Sequence, residues 1–109
     1  MTVSGLCEMI GLKPILLPQG DREVTGGYCG DLLSWVMPRA QSGDAWITIM
    51  SNVNVAAVAQ LTDVACVVFS EGVNPDEETL QKAKQHGINL LNCDKDSFTL
   101  CALIAKAIE

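Results

Sequence analysis

The chain predicts an α/β fold: a three-layer α/β/α domain built on a mostly parallel sheet of about four to five strands. Three observations point there. The segments Ala45–Ile49, Ala65–Phe69 and Ile88–Leu91 are short and rich in apolar residues, as strands covered on both faces must be. Between them lie stretches with helical spacing and helix-type ends, the crossovers that parallel strands require. Hydrophobic residues make up 49% of the chain but aromatic ones only 5%, so the core is aliphatic and alanine-rich.

The elements follow in order. Val3, Leu6, Cys7 and Ile10 have the i, i+3, i+4, i+7 spacing of a helix, with Thr2 as N-cap and Gly11 as its stop. Pro14 to Pro18 reads as a short strand whose prolines place it at a sheet edge. The stretch Asp21 to Gly30 sets two charged residues and a hydroxyl ahead of three glycines, where the backbone can take positive φ or pass close to a ligand. Gly26 and Gly27 read as a tight turn feeding a short strand at Tyr28 and Cys29. Asp31 is placed to cap a helix over Leu32–Met37, which Pro38 limits. Gln41 to Asp44 is a turn before the strand Ala45–Ile49. A helix to about Leu61, the strand Ala65–Phe69 and a loop over Ser70–Pro75 come next. The helix Asp76–His86 has acidic residues first, basic residues last and Gly87 as its stop, matching the helix dipole. The strand Ile88–Leu91, a loop over Asn92–Asp96 and a helix over Ser97–Ile108 complete the chain.

Size and charge narrow the function. The 109 residues form a single domain, 1–109. Seven Lys and Arg against thirteen Asp and Glu leave a net charge of −6, which repels phosphate backbones and anionic lipid. Nucleic acid and membrane are therefore not expected as partners. No apolar run reaches the roughly 20 residues of a membrane span, and no basic signal-peptide start is present, so a cytoplasmic protein is expected. The five cysteines have no pair closer than eight positions, and His86 is the single histidine. That pattern offers no zinc framework, and the cysteines read as reduced core residues. No metal and no cofactor is expected.

Parallel sheets bind ligands beyond the carboxyl ends of their strands. That rule collects Ser51, Asn52 and Asn54 after one strand, Ser70, Glu71 and Gly72 after the next, and Asn92, Cys93 and Asp94 after the third. Helix N-termini there can hold a small anion, or these residues are ordinary caps and turns. Asp21 and Arg22 read as a surface ion pair of little energetic worth. There is no Walker loop and no dinucleotide-binding glycine motif. A nucleophilic triad fails for want of a placed histidine, since His86 stands at a helix end, and Cys93 lies beside Asp94 and Asp96, which disfavour its thiolate. A small enzyme using Asp21 or Glu71 as a base is the remotest alternative.

The spacing Asp21, Arg22, Thr25, Gly26, Gly27, with Glu23 and Val24 interposed, resembles the DRTGG domain family, and so do the strand end at Val68–Gly72 and the order of the elements. The resemblance runs over nearly the whole chain. It implies a regulatory module: such domains occur beside CBS domains in some inorganic pyrophosphatases and in the N-terminal parts of some phosphate acetyltransferases. They are similar in fold to the N-terminal domain of HPr kinase/phosphorylase, whose kinase activity resides in a Walker-containing domain that has no counterpart here. The expected function is thus a non-catalytic, homodimeric regulatory or interaction module, with Trp35 either an interface anchor or core. The alternative is a sensor whose occupancy controls a partner enzyme or signalling protein. Its ligand would be a nucleotide or another phosphorylated metabolite held by Asp21, Arg22, Thr25, Gly26, Gly27, Ser51, Asn52, Ser70, Glu71 and Gly72.

Overall fold

A computed structural model describes residues 1–109. The element order is α1 (Val3–Ile10), β1 (Lys13–Leu16), β2 (Gly26–Cys29), α2 (Leu33–Arg39), β3 (Asp44–Thr48), α3 (Asn54–Thr62), β4 (Cys66–Phe69), α4 (Glu77–His86), β5 (Leu90–Asn92) and α5 (Ser97–Ile108). One five-stranded sheet runs in the order β1-β5-β4-β3-β2. β2, β3, β4 and β5 are parallel, and β1 closes one edge antiparallel to β5.

The three layers follow from the period of two along the strands. In β3, Ala45 and Ile47 face one side and Trp46 the other; in β4, Cys66 and Val68 oppose Val67 and Phe69. The first face packs on Val3, Leu6 and Cys7 of α1 and on Leu100 and Ile104 of α5. The second packs on Val36 of α2, Val55, Ala56, Val58 and Ala59 of α3, and Ala83 of α4. Trp46 is fully buried, and its indole nitrogen donates to Gly30 O at 2.9 Å. Small residues on α3 let that helix lie close to the sheet, which is how an aromatic-poor core reaches full packing.

Three helix ends are those the sequence announces, Thr2 Oγ1 accepting from Gly5 N at 3.0 Å and Gly11 and Gly87 stopping their helices, while Asp76 caps α4 from just outside it by accepting from Thr79 N at 2.8 Å. Four details differ. The diglycine is not a turn; Gly26 and Gly27 lie inside β2 with no positive φ, because their strand pairs with Asp44 and Ala45 of β3. Asp31 does not cap α2. Its carboxylate accepts instead from Thr48 Oγ1 and Ile49 N, both at 2.9 Å, so it ties the end of β2 to the end of β3. Pro38 stands within the last turn of α2, where a seven-residue helix has few bonds left to lose. Trp35 is not core; it is 55% exposed, with the Arg39 guanidinium 3.4 Å from its ring centre.

Candidate functional site

The direction of the parallel strands separates the sequence-predicted residues into two groups. Gly26 stands level with Asp44, the first residue of β3, whereas Ser51 and Asn52 follow its last residue, Thr48. At about 3.3 Å per residue the two ends of β3 lie roughly 13 Å apart. Asp21, Arg22, Thr25, Gly26 and Gly27 gather at the amino end. Ser51, Asn52, Ser70, Glu71 and Gly72 gather at the carboxyl rim. The expected single site, with the glycines brought to the rim, is not formed, because β2 runs parallel to β3 and starts at the opposite end.

At the rim, the chain itself occupies the helix N-termini. Asn52 Oδ1 accepts from Asn54 N at 3.0 Å at the start of α3. The carbonyl of Ser51 accepts from Thr79 Oγ1 at 3.0 Å beside the Asp76 cap of α4. Glu71 Oε2 accepts from Ser97 N at 3.0 Å, and Asp96 Oδ1 from Thr99 N at 2.8 Å, so α5 carries two carboxylates at its start. Glu71 and Gly72 both take positive φ, 59° and 73°, folding the loop after β4 back so that their amides reach Lys95 O and Cys93 O. The buried Ser70 hydroxyl meets that of Ser97 at 2.6 Å. Hydrogen bonds from Thr79 hold the Asp76 carboxyl below its ordinary range, and those from Thr99 do the same for Asp96. The rim is therefore capped and negatively charged, an unfavourable seat for a further anion.

The amino end is a structural clasp. Arg22 pairs with Asp63 rather than Asp21: its guanidinium meets Asp63 Oδ1 at 2.9 Å and donates to Asp63 O at 2.6 Å, at the carboxyl end of α3. This bond first, and the Ser42 hydroxyl second, hold the Asp63 carboxyl below its usual value. The small stabilisation this gives is present above the ordinary carboxylate pKa and is lost as pH falls through the depressed one. Thr25 N donates to Gly43 O at 2.9 Å, and Gly43 has φ +86°, where an added Cβ would run into Thr25 Oγ1. Asp21 stands exposed in its turn, and Glu71 lies in the loop after β4, so the two carboxylates considered as alternative bases belong to opposite ends of the sheet. A small polar cavity of about 90 Å³ lies beside Arg22, lined among others by Gln19, Asp63, His86 and Asn89.

A third feature was not foreseen from the sequence. Gly27 and Cys29 share the α5 face of β2, and as small residues they leave space against Cys101, Ile104, Ala105 and Ile108 of α5. The resulting groove measures about 260 Å³ and is lined almost wholly by apolar residues. The signal was available: a strand with glycine and cysteine two apart, opposite a helix with cysteine and alanine four apart. β2 itself is an open edge. β1, the other edge, carries Lys13, Pro14 and a bulge, the usual guards against strand addition. β2 is Gly-Gly-Tyr-Cys, with no charge, no proline and no bulge. Leu32, Trp35 and Met37 are exposed on the segment that follows it, Ile49 on the segment Asp31 holds, and Phe98 one turn before Cys101.

Comparison with known proteins places this arrangement. The family model for the DRTGG domain matches residues 29–107. The chain belongs to the DRTGG domain family. The matched range begins after Gly27, so the assignment rests on the βα body rather than on the five letters that suggested it. No curated protein matches the chain. Among solved structures, the fold is similar to that of the CBS and DRTGG domains of the regulatory region of Clostridium perfringens pyrophosphatase, in complex with its activator diadenosine tetraphosphate. The TM-score is 0.72 at 16% sequence identity, with 97% of this chain and 46% of the other covered. The chain thus spans about half the length of that regulatory region. The likeness shows a shared DRTGG fold.

Proposed function

We propose that this DRTGG domain is a non-catalytic regulatory module that works by association, pairing with a second copy of itself through the β2 edge. One observation carries the reading: of the two sheet edges, β1 is guarded and β2 is bare, and the segment that follows β2 in the chain exposes Leu32 and Trp35. Two identical edge strands can pair antiparallel about a two-fold axis, which makes the contact closed and self-complementary. Such a dimer can pass a signal to a partner enzyme through the relative placement of its two sheets. Sedimentation over a concentration series is expected to show a reversible dimer. Replacing both exposed residues, Leu32→Glu with Trp35→Glu, should leave the fold intact and weaken association by about 30-fold, the scale of losing one interface anchor. A wild-type chain that stays monomeric at high concentration, or a dimer indifferent to both charges, refutes this arrangement.

A second reading, nucleotide sensing, is favoured by the activator-bound state of the pyrophosphatase regulatory region with the same fold. Here the two residue groups lie at opposite ends of the sheet, so a nucleotide engages one of them and not both. The association reading expects no rise in Tm with diadenosine tetraphosphate, ATP or AMP. A saturable rise abolished by Arg22→Ala would assign sensing to the amino end; one abolished by Asn52→Ala would assign it to the rim.

A further inference from the structure

Three of the five cysteines behave as the sequence suggests: Cys7, Cys66 and Cys93 are buried. Burial pushes the Cys66 thiol up to about 12 and raises that of Cys7, so neither supplies thiolate at neutral pH. The other two depart from the expectation of core cysteines. Cys29 is exposed on β2, Cys101 is half-buried on α5, and the two line the same groove from opposite walls. Both side chains face into it, with Ile47, Ile104 and Ile108 also lining it. They come from elements 72 positions apart in the chain, and the fold alone brings them together.

We propose that Cys29 and Cys101 are a redox pair that closes into an intramolecular disulfide, fastening the open strand β2 to α5 and shutting the groove between them. The oxidant is a small-molecule disulfide of the glutathione class. The Cys29 thiolate, the more accessible, attacks one sulfur of the reagent, forming a mixed disulfide and releasing one thiol. The Cys101 thiolate then attacks Cys29 Sγ, forming the internal bond and expelling the second thiol. The protein loses two hydrogens in total, two electrons and two protons, and the reagent is reduced to two thiols. In the reduced chain burial first, and the neighbouring Cys29 thiol second, raise the Cys101 thiol to about 11; burial persists in the mixed disulfide, so the second step quickens as pH rises. The closure requires no dimer and stands apart from the association reading.

The test treats the native chain with glutathione disulfide, quenches with acid and maps peptides without reduction. The expected product is a single chain lighter by two hydrogens, with the Cys29 peptide joined to the Cys101 peptide, a melting temperature above that of the reduced chain, and full reversal by dithiothreitol. Cys29→Ser and Cys101→Ser should each keep the native circular dichroism spectrum and stop at one glutathione adduct. Wild-type chain that carries two separate adducts, or that links Cys29 to Cys29 of a second molecule, would overturn the pairing.

Discussion

Replacing Asn89 with alanine is expected to destabilise the domain by about 3 kcal/mol, three hydrogen bonds at about 1 kcal/mol each. Asn89 is 2% exposed, just before β5. Its Oδ1 accepts from Gln19 N at 2.9 Å, and its Nδ2 donates to Gln19 O at 2.8 Å and to Ala65 O at 3.0 Å. One amide thereby fixes the connection between β1 and β2, 70 positions away, against the start of β4. Alanine breaks all three bonds and leaves the carbonyl of Ala65 without that partner in the interior. Urea melts should show a lower midpoint at unchanged slope. The loosening should be local as well: hydrogen exchange should speed at Val3 and Ser4, whose amides donate to Arg22 O and Gly20 O in that connection. Asn89→Asp keeps the acceptor but sets a carboxylate against two carbonyl oxygens, so it should be no better than alanine at neutral pH. A loss under about 1 kcal/mol for alanine would show that water replaces the amide and that the connection is held by other means.

Valine at the two adjacent glycines should have opposite outcomes. Gly26→Val is expected to cost about 2 kcal/mol, the scale of overpacking at a site that cannot yield. A Cβ at Gly26 falls 2.7 Å from Asp44 Oδ1, and Asp44 is itself buried, with Oδ2 accepting from Gln41 N at 2.8 Å. The carboxylate cannot move without breaking the turn that starts β3. Gly27→Val should change stability by no more than about 0.5 kcal/mol, as its Cβ meets Ala45 O at an ordinary 3.5 Å and a β-branched side chain suits a strand. Its methyl groups enter the groove beside Ile104. Parallel denaturant melts decide between them, and equal costs would mean that the glycines serve a shared backbone purpose instead of these distinct contacts.

The contrast at this dipeptide shows what was legible. The cap at Thr2, the stops at Gly11 and Gly87, and the apolar strands β3 and β4 are local signals, readable because each depends on neighbours within about four residues. Asp31 was misread for the same reason. Its sequence neighbours suggest a cap, but its hydrogen-bond partners, Thr48 and Ile49, come from another strand. Arg22 likewise has Asp21 beside it in sequence and Asp63 beside it in space. Asn89 sits in an apolar run, and nothing local marks it as the residue that holds a distant connection in place.

The sequence by itself determined the elements, their order and the family, because hydrophobic period and end signals are properties of short segments. Only the tertiary structure decided where those segments point. Strand direction sent the glycines and the polar rim to opposite ends of the sheet. Pairing left β2 bare while β1 was guarded. Packing of α5 across β2 brought Cys29 to Cys101. Each of these is a relation between residues far apart in the chain, set by which edge and which face the folding sheet presents, and no window of neighbouring residues contains it.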